Sequence, residues 1–280
     1  MDAVLRAEAA DALLTAYRTK QAIEPLVEKY AGLTLEDSYA IQQAQIQHFV
    51  SSGARIAGHK VGLTSLAMQR QMGVDQPDYG HLLDDMFYLE HLPIPAGAFL
   101  QPRVEPEVAF VLKRDLSGPG VTVAEAVAAI DFVLPALELI DSRIRDWKIG
   151  ILDTIADNAS SGGVVLGSTP HALDAVDLRL SGCVLHRNGE VVGTGAGGAV
   201  LGSPITSLVW LANTVGARGV VLKAGHVVLP GSITASVPVE PGDSFTATFA
   251  GLGSVTARFA PAPVAAPGAP AGQALTEETS

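Results

Sequence analysis

The chain changes character near Arg55, and this change constrains its fold more than any other feature of the sequence. Before Arg55, apolar residues recur at helical spacing; after it, short runs rich in Val, Gly and Pro alternate with turn sequences. These runs include IAGHKVGL, VEPEVAFVL, FVLPALELI and CVLHRNGEVVG. We therefore predict a helical segment over residues 1–54, packed on a β-rich domain of mixed topology over residues 55–260. Residues 261–280, rich in Pro, Ala and Gly, are predicted to form a disordered tail.

Capping and turn signals delimit the predicted elements. Residues 3–20 have helical spacing throughout, and a second helix is predicted after Thr34, which forms a capping-box pattern with Asp37. Within the β-rich part, helices are predicted at TVAEAVAAI and after the Ser203-Pro204 pair, since serine is a common N-cap and proline a common first helical residue. The sequence HRNGEV is typical of a tight β-hairpin.

Charge and composition disfavour several classes of partner. The 280 residues include 29 acidic and 18 basic side chains, and the net charge of −11 disfavours nucleic acid and anionic membranes. We find no apolar run of the roughly 18 residues that a membrane helix needs, and the first residues lack the pattern of a signal peptide. The single cysteine, Cys183, allows no disulfide within the chain, which fits a reducing cytoplasm. We therefore expect a cytoplasmic protein.

Three glutamates are the strongest candidates for chemistry. Glu105 and Glu107 lie two residues apart in a predicted strand and so share one face. Such a pair is often only a solvated face, but Glu138 lies in an almost unbroken apolar run, where a carboxylate must be paired or bound to a metal. Candidate ion-pair partners are Arg103, Arg143 and Arg145. The alternative is that the three carboxylates bind one hard cation, Mg²⁺ or Mn²⁺.

Other motifs also have both a structural and a functional interpretation. Lys60, within GHKVGLTS, is either a surface lysine with a buried stem or a lysine of the active site that supplies positive charge or a proton. The sequence GTGAGG matches a dinucleotide-binding pattern, but no acidic residue occurs between Glu190 and Glu240 to bind a ribose. We therefore interpret it as a turn or bulge. The histidines show no zinc-binding spacing, and no G-x-S-x-G motif is present.

Several of these segments together resemble one family. GHKVGLTS, GVDQPDYGHLLDDM, QPRVEPEVAFVL, LELIDSRIRDWKIGILDTIADNASSG, LKAGHVVLPGS and GLGSVTARF are similar to the 2-hydroxypenta-2,4-dienoate (2-keto-4-pentenoate) hydratases and 4-oxalocrotonate decarboxylases of the fumarylacetoacetate-hydrolase-like superfamily. The resemblance spans roughly residues 5 to 260. It implies an α+β fold, a mixed barrel-like β-roll with helices outside and a helical N-terminal segment.

The resemblance also implies roles for particular residues. It assigns the metal, Mg²⁺ or Mn²⁺, to Glu105, Glu107 and Glu138, and it places Lys60 in the active site as a proton-transfer residue. Two further residues, Asp78 and Ser161, would border the substrate pocket. Members of the family form homo-oligomers, and a decarboxylase can associate with its partner hydratase.

The expected function is therefore that of a hydro-lyase in a meta-cleavage pathway. It would add water to a 2-hydroxydienoic acid and give a 4-hydroxy-2-oxo acid. The motifs QPRVE, SRIRDWKI and DTIADNAS favour the hydratase, whereas GSITASVPVEPGD is closer to the decarboxylases, which act on a diacid. A non-catalytic partner subunit and an acylpyruvate-type hydrolase are the further alternatives.

Overall fold

The computed structural model describes residues 1–66, 69–70, 74–95 and 97–262. The α-helices are α1 (Ala3–Thr19), α2 (Leu26–Lys29), α3 (Leu35–Ser51), α4 (Val123–Ala129), α5 (Ile151–Ala156) and α6 (Pro204–Gly216). The first six strands are β1 (Ile56–Gly62), β2 (Asp78–Leu83), β3 (Phe87–Tyr88), β4 (Arg103–Leu112), β5 (Ile130–Ile140) and β6 (Ser161–Leu166). The last six are β7 (Gly182–Arg187), β8 (Glu190–Ala196), β9 (Val227–Leu229), β10 (Val237–Pro238), β11 (Ser244–Phe249) and β12 (Gly253–Arg258).

Two sheets form the β-rich part. The larger has the strand order β2-β1-β9-β4-β5-β6-β3, with β10 added beside β4. The pairs β1–β9 and β3–β6 are parallel, and the other pairs in this sheet are antiparallel. The smaller sheet has the order β12-β11-β7-β8 and is antiparallel throughout. The predicted mixed, curled sheet with helices outside and at the N-terminus is confirmed.

The N-terminal helices form at the predicted capping signals. Thr34 and Asp37 form the capping box at the start of α3, and the Asp2 side chain accepts a hydrogen bond from a backbone N–H of α1. The apolar faces of α1 and α3 contribute Leu13 and Ile41 to a core that also includes Ala156 of α5. This packing holds the helical segment against the β-rich part. The boundary at residue 54 stays a prediction, and most of the predicted tail lies outside the described residues.

Helix α6 lies in the main core, and it corrects the expectation that no segment is apolar and long enough to cross a membrane. Ser203 caps the helix and Pro204 opens it, as predicted. The segment Gly197–Gly216 has a mean hydropathy of 1.2 and, contrary to our expectation, is long and apolar enough by composition to cross a membrane. The α-helix itself covers only 13 residues, about 20 Å, against about 30 Å of bilayer core. Its buried residues, including Leu208 and Leu211, pack in the core between the sheets, so hydropathy here reflects burial in protein.

Candidate active site and metal centre

The three predicted carboxylates converge where β4 pairs with β5. The register places Glu105 directly opposite Glu138, and Glu107 lies two residues further along β4 on the same face. One carboxylate oxygen from each of the three lies within 4.8 Å of the other two. The sheet therefore builds an all-oxygen cluster of the type that Mg²⁺ and Mn²⁺ bind.

This cluster is costly without a cation. Burial, followed by repulsion from neighbouring carboxylates, raises the pKa of Glu105 to about 7 and raises the pKa of Glu107 well above its usual value. Burial also raises the pKa of Glu138, although Lys60 opposes the shift. Among the described residues, Glu107 Oε1 and both oxygens of Glu138 have no hydrogen-bond partner. Buried, unpartnered carboxylate oxygens fit a divalent cation, because the cation would supply the missing charge.

One backbone group supports the cluster directly. The N–H of Gly231 donates a 2.7 Å hydrogen bond to Glu107 Oε2. Glu107 is fully buried, so this bond fixes the orientation of the carboxylate and leaves Oε1 for a ligand. The segment that carries Gly231 follows β9 and runs alongside the carboxylate strand.

Lys60 is the ion-pair partner of Glu138, and the candidate arginines are not. The distance between Lys60 Nζ and Glu138 Oε1 is 3.3 Å, and both side chains are buried. Burial alone would lower the pKa of Lys60, but the charge of Glu138 and the nearby carboxylates outweigh it and raise the pKa. Of the arginines considered, Arg143 pairs with Asp157 and Arg145 with Glu24.

Asp78 also lies beside Lys60. In the β1–β2 pairing Asp78 is opposite Gly62, and Lys60 is two residues before it on the same face. A Cβ atom at Gly62 would collide with Asp78 Oδ1 and lie 3.5 Å from Lys60 Nζ. Glycine at this position therefore leaves the space in which the two polar groups meet. Burial raises the pKa of Asp78, and Asp78 Oδ1 has no hydrogen-bond partner within the described part of the chain.

Of these groups, Lys60, Asp78 and Glu105 line a cavity with two lobes. The main lobe has a volume of about 450 Å³ and the side lobe about 260 Å³. Residues that line only the main lobe include Lys60, Asp78, Ile140, Trp147, Ile149, Thr154, Ala159 and Ser160. Residues that line only the side lobe include Thr64, Ser65, Ser232 and Thr234. Both lobes contact Gly62, Leu63, Arg103, Glu105 and Ser236. The main lobe is thus partly apolar, and the side lobe is rich in hydroxyl groups.

The segment Asn158–Ser160 forms part of the cavity wall in a strained conformation. All three residues have positive φ, between 50° and 53°, which is rare for residues other than glycine. The Asn158 side chain exchanges two hydrogen bonds with the backbone of His81 in β2. The buried ion pair between Arg143 and Asp157 also holds this segment, because Arg143 donates a second hydrogen bond to the Asp157 carbonyl immediately before it. Such strain persists only where its surroundings determine it, which is common at functional sites.

Ser161 and the preceding residue, Ser160, differ in what they contact. The Ser161 hydroxyl is buried and donates a 2.7 Å hydrogen bond to the carbonyl of Asn158, while Ser160 lines the main lobe. A substrate-binding role for Ser161 stays a prediction. His59 and His81 lie 4.9 Å apart between ring centroids and do not line either lobe.

Sequence reasoning missed several cavity residues. Arg103 was considered only as a partner for Glu138, although it lines both lobes. Trp147 and Thr154 were not singled out. Alternation along β4 could have placed Arg103 on the face of the carboxylates, but Trp147 and Thr154 come from a loop and a helix that carry no comparable signal.

Known proteins resemble this chain over most of its length. The family model described as fumarylacetoacetate (FAA) hydrolase C-terminal matches residues 60–260. The chain belongs to this family. It is 46% identical over 254 residues to a 2-keto-4-pentenoate hydratase of Paraburkholderia xenovorans strain LB400, covering 91% of this chain and 94% of that protein. It is 48% identical over 255 residues to a TodF product hydratase of Pseudomonas putida strain F1, covering 91% of this chain and 95% of that protein.

A solved structure extends the likeness to the fold. The 4-oxalocrotonate decarboxylase from Pseudomonas putida G7, complexed with magnesium and adipate, superposes with a TM-score of 0.89 at 39% sequence identity. The match covers 92% of this chain and 98% of the decarboxylase. The fumarylacetoacetate hydrolase family thus includes relatives of this chain that are named for hydration and for decarboxylation.

Proposed function

We propose that this protein is a metal-dependent hydro-lyase that adds water to 2-hydroxypenta-2,4-dienoate or a close analogue. The product would be a 4-hydroxy-2-oxo acid. The observation that carries the proposal is the convergence of Glu105, Glu107 and Glu138 beside Lys60. Glu105 and Lys60 also line the cavity. The identity with proteins named as 2-keto-4-pentenoate hydratase and TodF product hydratase supports the choice of reaction.

The residues of the cluster would hold one divalent cation, Mg²⁺ or Mn²⁺. Such an ion, when bound, supplies positive charge that polarises substrate oxygens. The oxygen-only ligands favour these two hard cations over Zn²⁺. The magnesium and calcium complexes of the Pseudomonas putida decarboxylase support a divalent cation.

The overall reaction requires two proton transfers and one addition of water. The dienol loses the proton of its 2-hydroxyl group and gains one at C5, which gives an α,β-unsaturated 2-oxo acid. Water then adds across the C3–C4 double bond, with the hydroxyl at C4 and the proton at C3. Each proton transfer needs a group of suitable pKa within hydrogen-bonding reach of the substrate.

Lys60 and Asp78 are the groups placed to move these protons. Lys60 is held protonated by the carboxylates around it, and neutralising the glutamates would leave burial as the main influence, which lowers its pKa. Lys60 would then donate a proton more readily. Asp78, whose pKa burial raises, lines the same lobe as Lys60 and would be the second candidate for proton exchange.

Decarboxylation is the second candidate, because the solved decarboxylase shares the fold at 39% identity. The same set of residues would then stabilise the negative charge left when CO₂ departs from a diacid. A non-catalytic subunit is disfavoured, because burying three carboxylates with only one lysine as an ion-pair partner has a cost that a bound cation would offset.

The test is an ultraviolet assay with Mg²⁺ on 2-hydroxypenta-2,4-dienoate, with 2-oxo-3-hexenedioate in parallel and products identified by mass. We expect loss of the dienol and a product heavier by one water. Lys60→Met should lower kcat by at least about 100-fold, whereas Lys29→Met, at an exposed lysine paired with Glu8, should leave it unchanged. Turnover of the diacid alone, with release of CO₂, would replace the hydratase with the decarboxylase.

We also propose that the protein forms a homo-oligomer and acts in the cytoplasm. The family resemblance supports the assembly, and the presence of only one cysteine, which is buried, is consistent with the location. Sedimentation of the purified protein would give the number of subunits. Association with another enzyme of the same pathway stays a prediction.

A further inference from the structure

We propose that the side lobe supplies the water of the reaction, and that the hydroxyl groups of Ser232 and Thr234 hold this water for attack on C4 of the substrate. This inference rests on the proposed function, because it assigns further residues to the same hydration. Three observations carry it: the hydrogen bonds of the two hydroxyl groups, the size and lining of the side lobe, and the position of the proton-carrying groups in the other lobe.

The hydroxyl groups of Ser232 and Thr234 offer acceptors, and not donors, to the side lobe. The Ser232 hydroxyl donates to the Thr234 carbonyl at 2.8 Å, and the Thr234 hydroxyl donates to the Ala235 carbonyl at 3.0 Å. A hydroxyl group has one hydrogen to donate and two lone pairs, so both groups use their only donor within their own segment. Both residues line the side lobe and are only partly buried. Their free lone pairs can therefore accept hydrogen bonds from a molecule in this lobe.

Water is the molecule that suits these acceptors. A water that donates to Ser232 and Thr234 keeps its own lone pairs, which can then attack an electron-poor carbon. The side lobe, with a volume of about 260 Å³, has room for several waters at about 30 Å³ each. A hydrocarbon tail would instead cover the hydroxyl oxygens and offer them no hydrogen, which has a cost in free energy. The carbon chain of the substrate would bury its apolar surface against Ile140 and Ile149, which line the main lobe.

The proton-carrying groups lie in the other lobe. Lys60 and Asp78 line the main lobe and not the side lobe, whereas Glu105 and Ser236 line both. A substrate that lies where the lobes meet is therefore reached by water from one side and by a proton from the other.

The addition balances without a further reactant. One O–H bond of the water breaks, a C4–O bond forms, and the electron pair of the C3–C4 π bond moves to C3. A group of the main lobe protonates C3, and the proton that the water releases restores this group through the solvent. The sum of these steps is the addition of one H₂O.

The segment that carries the two hydroxyl groups is held against the carboxylate strand. The Gly231 N–H donates to Glu107, and the Ile233 N–H donates to the Pro106 carbonyl at 3.1 Å. These bonds flank Ser232, and Thr234 follows Ile233 directly. The acceptors are therefore positioned before the water or the substrate binds, which lowers the entropic cost of bringing the two together.

The experiment measures how the substrate partitions between two products. The Mg²⁺-loaded protein is mixed with 2-hydroxypenta-2,4-dienoate, and the unhydrated 2-oxopent-3-enoate and the hydrated acid are quantified at early times by chromatography and mass. Thr234→Val replaces the hydroxyl group with a methyl group of similar size, so formation of the unsaturated acid should fall much less than the addition of water. We expect the ratio of hydrated to unhydrated product to fall by about 10-fold, the effect of one lost hydrogen bond.

Three more variants make the role of these hydroxyl groups specific. Ser232→Ala should lower the same ratio, and Thr234→Ser, which keeps the hydroxyl group, should return it close to the wild-type value. Thr248→Val, the same replacement at an exposed threonine of β11, should leave it unchanged. The inference is overturned if Thr234→Val and Ser232→Ala keep the wild-type ratio. It is also overturned if Thr234→Val raises only the KM for the dienol, which would place the acid itself in the side lobe. A wild type that forms no hydrated product would instead refute the proposed function.

Discussion

The substitution Glu107→Gln should stabilise the metal-free protein while it removes the response to Mg²⁺. Glu107 is fully buried and lies within 4.8 Å of two other carboxylates. Its pKa is raised well above the usual value, first by burial and then by Glu138 and Glu105. Glutamine has nearly the same shape, and its carbonyl oxygen can still accept the hydrogen bond from Gly231. The variant therefore removes a buried acid and keeps its main hydrogen bond.

The size of the effect follows from the geometry. Two unit charges 4.8 Å apart interact by about 3 kcal/mol at an effective dielectric constant of about 20. Protonation relieves part of this repulsion in the metal-free state, and imperfect hydrogen bonding of the amide costs about 1 kcal/mol. A net gain of about 1–2 kcal/mol should raise Tm by about 2–6 °C. In the wild type, Mg²⁺ at about 100 times its Kd should stabilise the fold by about 2.7 kcal/mol, and this increment should vanish in the variant.

Thermal unfolding at pH 8, with EDTA or with Mg²⁺, measures both quantities. The matched control is Glu138→Gln, which also removes a buried acid but takes the counterion from Lys60 at 3.3 Å. Lys60 would then keep only Asp78, Glu105 and Glu107, whose charges act on it less strongly than that of Glu138, so this variant should be less stable than Glu107→Gln. A metal-free Glu107→Gln protein that melts below the wild type, or that keeps the full Mg²⁺ shift, would refute the reasoning.

Three further predictions concern protons, the loop beside the carboxylates and the buried ion pair. The raised pKa of Glu105 means that the metal-free folded state binds more protons than the unfolded state between about pH 4.5 and 7. Its stability should therefore fall as pH rises through this window, and titration calorimetry in two buffers should detect protons released by Mg²⁺. Gly195→Ala should lower Mg²⁺ affinity, because its Cβ would collide with the Ile233 carbonyl in the loop beside the carboxylates. The control is Gly182→Ala, whose Cβ would meet only an ordinary contact at 3.8 Å. The same titration measures the affinity of both variants. Arg143→Met leaves a buried aspartate unpaired and should lower the free energy of unfolding by about 3–5 kcal/mol in urea denaturation.

The sequence predicted the features that depend on neighbours along the chain. The capping box of Thr34 and Asp37 and the N-cap at Ser203 are local hydrogen-bond patterns, and the structure confirms them. The shared face of Glu105 and Glu107 follows from the two-residue period of a strand. These features need no knowledge of which strands pair.

The ion-pair partner of Glu138 could not be predicted in this way. The candidate arginines lie within 35 positions of Glu138, but Lys60 is 78 positions away and reaches Glu138 only because of the strand order. Strand β9, which separates β1 from β4, has only three residues. Where β9 ends, the sheet no longer fills the space between Lys60 and the carboxylates, and the cavity opens there.

The glycines of GTGAGG also depend on contacts with residues that are distant in the sequence. The absence of a ribose-binding acid argues against a dinucleotide, but nothing along the sequence explains the glycines. In the structure, a Cβ at Gly195 would collide with the backbone of Ile233, and one at Gly193 would lie 3.3 Å from the Thr234 hydroxyl. Strand β8 therefore lies directly against the loop that borders the side lobe.

That loop, residues 231–239, contacts Glu107 of the carboxylate cluster and pairs with Arg103 at the start of β4. It runs beside residues 102–107. Gly231 donates to Glu107, Ile233 to the Pro106 carbonyl and Val239 to the Pro102 carbonyl, and Val237–Pro238 pairs with Arg103–Val104. Because one continuous segment fixes both the Glu107 carboxylate and the strand position of Arg103, a displacement of the loop moves both. A change at β8 should therefore weaken metal binding and 2-oxo acid binding together, although β8 contributes no side chain to either lobe.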